Sequence, residues 1–242
     1  MKIINDILAM LDYETPVKDM RIGPFQTAVA TRRCGLASTP HDQGPHHKKS
    51  PVADAGLLLE KDARELAGMA NSRSPVEAAI GMAAINSLIE VDKKRCVKLN
   101  AGDLLARKGE GKRVAVIGHF PFVKRLRQVV RELWVIERNP QENDLAENES
   151  AKYLPRADVV GITGTALTNH TIEYLLGLCS PAAYVVILGG TAPLSPVLFD
   201  YGIDAVSGTK VIDSETVLRY VSQGATFRQI KGIELLTMRK DG

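Results

Sequence analysis

Two stretches in the second half of the chain place small hydroxyl and amide side chains directly after β-type runs. They are residues 163–171 (TGTALTNHT) and residues 189–196 (GGTAPLSP). In each, a helix is expected to begin, and the free N–H groups at a helix start attract an anion or a carbonyl. Helix capping alone would explain one such side chain, not the whole run. The two loops therefore predict a small-molecule binding crevice.

An acidic residue, Glu137, ends the second predicted strand. It lies 19 residues after Gly118, close to the offset of about 20 at which an acid in a dinucleotide-binding fold bonds a ribose hydroxyl. However, residues 118–122 (GHFPF) lack the G-x-G-x-x-G that lets a pyrophosphate contact the backbone. Two interpretations stay open: Glu137 binds the ribose of a nucleotide cofactor, or it is a solvated carboxylate beside Arg138.

Three histidines, His41, His46 and His47, lie within residues 40–47 (PHDQGPHH), and Cys34 precedes them. Imidazole and thiolate are the donors that Zn, Ni, Co and Fe prefer. The spacing is not that of a zinc finger, and an ordinary polar loop is the alternative interpretation. If a divalent transition metal binds here, we expect His119 to face the loop across a cleft.

The elements that must position these residues are clearest in residues 113–242. Short β-branched runs alternate there with helical patterns, which is typical of βαβ units with a parallel sheet. This predicts an α/β, Rossmann-like domain that binds ligands beyond the carboxyl ends of its strands. The predicted strands are 114–117, 133–136, 159–163, 184–188 and 205–207, and the predicted helices are 121–130, 171–178, 196–201 and 214–223.

The first half has a different, α+β order. A helix at 3–11 precedes extended runs at 17–22 and 26–31, and a later helix should begin at Ser74 and Pro75. Ser74 and Glu77 have the spacing of a capping box, so we predict that Glu77 is chiefly structural. The glycine-rich, charged segment 100–112 is predicted to be a linker. The predicted domains are residues 1–105 and 106–242.

Composition narrows the class of protein. The 242 residues are 45% hydrophobic and 24% charged, as expected of a soluble globular protein. Lys and Arg number 31 against 28 Asp and Glu, a balance that argues against a dedicated nucleic-acid binder. The three cysteines are odd in number, and no apolar run has the length of a signal peptide or a membrane span. We therefore expect a cytoplasmic protein with no membrane or nucleic-acid partner, and a homodimer is one expected state.

Several segments together resemble the heavy-metal chelation domain family of bacteria and archaea and the companion domain that precedes it. For the second half they are 113–122 (RVAVIGHFPF), 135–140 (VIERNP), 157–171 (ADVVGITGTALTNHT), 191–199 (TAPLSPVLF) and 202–213 (GIDAVSGTKVID). For the first half they are 35–39 (GLAST) and 76–88 (VEAAIGMAAINSL). One departure is Gly189-Gly190-Thr191, where the family usually has Gly-Pro-Ser/Thr.

The resemblance implies a first domain similar to the N-terminal domain of enolases, a Rossmann-like second domain, and a site where the two meet. Enolase chemistry is not implied, because the enolase acids and lysine belong to a barrel that this length cannot include. The site positions implied are His119, Glu137, Thr163, Gly164, Thr165, Asn169, Thr191, Pro193 and Ser195, with Gly35, Glu77 and Asn86 from the first half.

Two functional hypotheses follow. The first is a protein that binds a metal or a metal chelate, for example a tetrapyrrole-type cofactor, in the cleft between the domains. The second is an enzyme that uses a nucleotide cofactor, NAD or S-adenosylmethionine, with Glu137 on the ribose. Whether any reaction is catalysed stays open at this point.

Overall fold

The computed structural model describes residues 1–40 and 50–240. The strands in this part of the chain are β1 Asp19–Ile22, β2 Gln26–Ala30, β3 Cys34–Ser38, β4 Cys96–Val97, β5 Arg113–Ile117, β6 Glu132–Glu137, β7 Leu145–Ala146, β8 Val159–Thr163, β9 Tyr184–Leu188, β10 Ala205–Val211 and β11 Ile233–Arg239. The α-helices are α1 Lys2–Ala9, α2 Ala63–Gly68, α3 Pro75–Leu88, α4 Ala101–Gly109, α5 Val123–Leu126, α6 Ser150–Tyr153, α7 Thr165–Thr168, α8 Ile172–Leu178 and α9 Ser214–Ser222.

The larger sheet has eight strands in the order β4-β11-β10-β9-β8-β5-β6-β7. The strands from β10 to β7 are all parallel, whereas β11 pairs antiparallel with β10, and β4 pairs antiparallel with β11. The six parallel strands follow the 3-2-1-4-5-6 order of the Rossmann fold. Strands β6 and β7 are added on one side of β5, and β8, β9 and β10 are added on the other side, so the strand order reverses between β5 and β8. The predicted α/β, Rossmann-like fold is therefore confirmed.

The smaller sheet is an antiparallel meander of β1, β2 and β3. Because side chains alternate across a strand, its two faces have separate neighbours. Val29 and Ala37 lie in the same core cluster as the alanine-rich helix α3, while Ala28 and Leu36 lie in a cluster with Val217 of α9. The first half is α+β as predicted. Its sheet packs between α3, a helix of the first half, and α9, a helix of the second half.

The prediction of a linker at 100–112 was wrong. The segment forms α4, which begins with Asn100 accepting a hydrogen bond from the Gly102 N–H at 2.7 Å. Leu104 and Leu105 are buried, and Leu105 packs against Gly161 of β8. The Asn100 cap and the burial of Leu104 and Leu105 stabilise a helix here, although the segment is rich in glycine. The predicted boundary at 105 falls inside this helix, and the division into two domains stays a prediction.

Glu77 makes different contacts from those of a capping box. The Ser74 side chain accepts a hydrogen bond from the Glu77 N–H at 3.4 Å, but the Glu77 carboxylate does not return to Ser74. It accepts instead from the Ala53 N–H at 2.9 Å and from the Ser72 hydroxyl. Glu77 therefore ties the preceding segment to the first turn of α3.

The amino ends of β5 and β8 are joined by Arg113 and Asp158, and this pair gives a first testable prediction. The carboxylate accepts from the Arg113 side chain at 2.7 and 3.1 Å and from its backbone N–H at 2.9 Å. These bonds lower the pKa of Asp158 from 3.8 to about 2. Because the folded-state value is the lower one, the stabilisation is present above pH 4 and is lost as pH falls through about 2.

Since a third of each side chain is exposed, we expect Asp158→Asn to lower the unfolding free energy by only about 1 kcal/mol at pH 7. Urea unfolding at pH 7 and pH 2 should show that the difference from wild type shrinks in acid. Asp200→Asn, at an exposed position, is the control. An unchanged difference at pH 2 would contradict this account of Asp158.

The described residues contain no helix with the length and apolar character needed to cross a bilayer.

Candidate functional site

A cleft of about 460 Å³ lies at the carboxyl ends of β5, β6 and β8, beside the point where the strand order reverses. The pairing of Ile117 with Ile136 and with Ile162 aligns these three strand ends. Ligands of Rossmann-like sheets bind at this position. The cleft is lined by Ser38, Ile117, Gly118, His119, Phe120, Ile136, Glu137, Arg138, Glu147, Thr163, Thr165, Ala166, Asn169 and Thr171.

His119 is oriented by a buried carboxylate. Gly118, at a φ of +105°, makes the turn out of β5 that a side-chain-bearing residue would disfavour. His119 Nδ1 lies 2.8 Å from Asp144 Oδ2, and the Asp144 side chain is 1% exposed. The same oxygen accepts from the Gln141 N–H at 3.1 Å. Because a carboxylate can only accept, Nδ1 carries a proton, and in the neutral ring Nε2 keeps a lone pair for a ligand.

Glu137 ends β6 and is half-buried in the wall of the cleft. Burial raises the pKa of its carboxyl, and the nearby charges of Asp144 and Glu147 raise it further. A hydrogen bond from the Arg138 N–H lowers it, as does His119 when its ring is protonated. Arg138 is itself bonded to Glu147, with Nε 3.3 Å from Oε2. Within the described residues, Glu137 has no salt bridge, so the cleft carries a carboxylate that a cation would stabilise.

The loop after β8 supplies neutral hydrogen-bonding groups. The hydroxyls of Thr163 and Thr165 lie 2.9 Å apart, and Asn169 Oδ1 accepts from the Thr171 hydroxyl at 2.7 Å. No partner is found for the Asn169 amide nitrogen in the described part of the chain, so it can donate to a ligand. Phe120 adds an aromatic ring, stacked on Phe122 with a centroid distance of 5.2 Å.

Thr191, Pro193 and Ser195 are buried and are not among the residues that line the cleft. Thr191 Oγ1 accepts from the Ser38 N–H at 2.9 Å, so it fixes the one cleft-lining residue that comes from the first half. Asn86 of α3 donates to the Thr191 carbonyl at 3.2 Å. Of the two post-strand loops, the one after β8 contributes residues to the cleft, whereas the one after β9 contacts Ser38 through Thr191 and lines no part of the cleft. That these loops bind a ligand stays a prediction.

The two glycines among the predicted site residues are positions of close backbone contact. A Cβ on Gly164 would lie 2.5 Å from the Ala192 nitrogen, and one on Gly35 would lie 2.2 Å from the Ala83 carbonyl oxygen. Gly164 therefore lets the two loops meet, and Gly35 lets β3 approach α3. Neither is among the residues that line the cleft.

The predicted metal ligands are not brought together in the described residues. Cys34 lies in the cluster between β3 and α9, where burial and the charge of Asp19 raise its pKa to about 12 and disfavour the ligating thiolate. His41, His46 and His47 lie outside the described residues. Within residues 1–40 and 50–240 no three His, Cys, Asp or Glu side chains are grouped closely enough to hold a metal.

Asp144 is the site residue that sequence reasoning missed. It lies in the loop between β6 and β7, 25 residues from His119. Its neighbours in sequence, Gln141 to Asn143, look like an ordinary polar turn. Ser38 and Phe120 lie in the segments 35–39 and 113–122 that carry the family resemblance, but neither was predicted as a site residue.

Comparison with known proteins agrees with this architecture. Residues 100–239 match the DUF364 family model and residues 4–89 match the DUF4213 model, both described as “Putative heavy-metal chelation”. An uncharacterized protein of Methanocaldococcus jannaschii is 30% identical over 188 residues, which cover 73% of this chain and 71% of that protein.

Two crystal structures of DUF364 proteins of unknown function have the same fold. The protein from Desulfitobacterium hafniense superposes with a TM-score of 0.86 at 26% identity, covering 99% of this chain and 98% of that one. The protein from Pyrococcus horikoshii gives 0.83 at 21% identity, with 98% of each chain covered. Since the DUF364 model spans more than half of the sequence, this chain belongs to the DUF364 family.

Proposed function

We propose that the cleft binds a metal chelate, that is, a metal ion already held by a flat organic ligand of tetrapyrrole type. The observation that carries this proposal is the His119–Asp144 pair, which leaves one imidazole nitrogen free at a cleft of about 460 Å³. A histidine fixed through its other nitrogen by a carboxylate is a recurrent metal ligand. The family assignment supports metal binding without naming the ligand.

A bare metal ion is less well supported than a chelate. Stable protein sites for a single divalent ion use three or four side-chain ligands, and the described residues contain no such group. A chelate brings most of its donors with it and needs one axial ligand, as haem does. The volume of the cleft is also that of a small-molecule site.

The other cleft residues have roles in this proposal. His119 would supply the axial nitrogen, and the unpaired carboxylate of Glu137 would lie close to the positive charge. The ring of Phe120 offers a flat apolar surface, and Thr165 and Asn169 offer hydrogen bonds to polar substituents. A metal chelate bound in this way would supply a Lewis-acidic metal centre. We infer no reaction from it.

Absorbance titration with haemin, metal-free protoporphyrin IX and Zn²⁺ tests the proposal. We expect haemin to bind wild type with the spectrum of an imidazole-ligated iron, and more tightly than either other probe. His119→Ala should lose that spectrum, whereas His170→Asn should keep it, because His170 bonds the Ala70 carbonyl oxygen and does not line the cleft. Equal haemin spectra for wild type and His119→Ala would refute the proposal.

A second candidate occupant is a nucleotide cofactor, NAD or S-adenosylmethionine. The sheet order and the position of Glu137 at the end of β6 favour it, because that is where a Rossmann acid bonds a ribose. Calorimetry with each nucleotide decides between the two: binding by wild type that is lost in Glu137→Gln would support the nucleotide. Glu132→Gln, at the other end of the same strand, is the matched control because its amide oxygen can still accept from Trp134.

A further inference from the structure

A second concave surface lies at the amino ends of the parallel strands, opposite the cleft. It has a volume of about 430 Å³ and is formed by residues 112–113 at the start of β5, 155–158 before β8, and 180, 182 and 183 before β9. We call it the amino-end groove. Because the three strands are parallel, their amino ends lie together, and this groove is separated from the cleft by the length of a strand.

The acid that lines the groove is already paired. Asp158 Oδ1 accepts from Arg113 Nη2, and Asp158 Oδ2 accepts from Arg113 Nε and from its backbone N–H. Both carboxylate oxygens are therefore used within the protein. A second acid, Glu132, is close enough to act on the charge of Arg113, and it also accepts from the Trp134 indole.

Three cations around the groove have no carboxylate partner in the described part of the chain. Lys112 and Arg156 line it, and Arg131 is close enough to act on Asp158. The Arg156 guanidinium lies over the Trp134 ring, 5.4 Å from its centroid. A cation–π contact of this kind restrains the guanidinium while its N–H groups stay available.

The excess of positive charge is local. The whole chain is nearly balanced, with 31 Lys and Arg against 28 Asp and Glu. Around the groove itself, four cations face two acids, and one of those acids is bonded on both oxygens. Ser180 adds a hydroxyl at the rim, whose oxygen accepts from the Ala182 N–H at 3.3 Å.

We propose that the amino-end groove binds a small anion that carries two or more phosphate groups. An arginine fork and a lysine point charge are complementary to phosphate oxygens. The spread of cations around the groove, with Lys112 and Arg156 inside and Arg131 beside it, suits several linked phosphates better than one. The volume fits a small molecule rather than a polymer. This site is independent of the metal chelate proposed for the cleft.

Calorimetric titration of the full chain with inorganic triphosphate, in 0.1 M salt without divalent ions, tests this. We expect wild type to bind and Lys112→Ala/Arg156→Ala to bind at least tenfold more weakly, since each charged hydrogen bond is worth more than a neutral one. Lys18→Ala/Lys94→Ala removes the same charge elsewhere on the surface and should change the affinity less than twofold. Arg156→Lys should fall between, because lysine keeps the charge without the fork.

Haemin titration of the same variants separates this site from the cleft. The Lys112→Ala/Arg156→Ala protein should retain the haemin spectrum of wild type, which also shows that it is folded. Absence of triphosphate binding at millimolar concentration, or an equal loss in the control pair, would overturn the proposal. Tighter binding of a single-stranded oligonucleotide than of triphosphate would overturn it too, in favour of an extended nucleic-acid surface.

Discussion

Gly35→Ala is expected to lower the free energy of unfolding by about 3 kcal/mol or more, although it adds a single methyl group. The new Cβ would lie 2.2 Å from the Ala83 carbonyl oxygen and 2.3 Å from the Ser87 nitrogen. Both are main-chain atoms of α3, which cannot move aside by a side-chain rotation. β3 and α3 would have to separate, and the core cluster between them would lose its packing.

Gly68→Ala is the matched control. Gly68 is helical at the end of α2, and a Cβ there would meet nothing within 4 Å. Alanine should therefore stabilise the protein by about 0.5–1 kcal/mol through helix propensity. Urea unfolding of the two variants measures both effects. A Gly35→Ala protein with wild-type stability and no haemin binding would show instead that Gly35 belongs to the binding site.

The second half of the fold is predictable because its strands are buried on both faces. Continuous apolar runs such as 184–188, separated by helical patterns, are typical of the buried strands of a parallel sheet. All five predicted strands are present: 159–163 and 184–188 have the predicted ends, and the other three are longer than predicted. The two-residue strands β4 and β7 are too short to leave a pattern. β11 was missed because IELLTMR fits a strand and a helix equally well.

The cleft is predictable where topology alone determines position. His119, Glu137 and Thr163 each follow a parallel strand within two residues, or end one, so they must meet at one edge of the sheet. Gly35 and Thr191 have residue types that suit ligand binding equally well, yet Gly35 lets β3 approach α3 within the first half, and Thr191 bonds Ser38 across the two halves. The sequence cannot distinguish a ligand-binding residue from a packing residue here, because a bound ligand and a closely packed backbone both require small side chains.

Asp144 shows a further limit of sequence reasoning. Its side chain reaches His119 only because the loop before β7 folds back over the end of β5, which no local pattern indicates. Once the contact is known, its consequence can be tested. Asp144 is a positioning residue: it bonds His119 Nδ1 and would affect a bound metal only through that ring.

Asp144→Asn is accordingly expected to weaken haemin binding by about 10- to 100-fold, the usual effect of losing a carboxylate behind a metal-ligating histidine. Asparagine keeps the shape of the side chain but removes the charge that makes the imidazole a stronger donor. The dissociation constant and the position of the haemin absorbance band are the measurements. A merely structural role would change the melting temperature and leave the band unmoved.

The double variant gives the decisive comparison, because Asp144 is argued to act through His119 alone. His119→Ala/Asp144→Asn should bind haemin no more weakly than His119→Ala, so the two effects should not add. Additive losses would mean that Asp144 acts on the ligand directly. His46→Ala/His47→Ala, assayed in parallel, tests the predicted loop ligands. If that variant loses as much affinity as His119→Ala, the metal is shared with residues 41–47, and the cleft supplies one ligand of several rather than the axial ligand of a chelate.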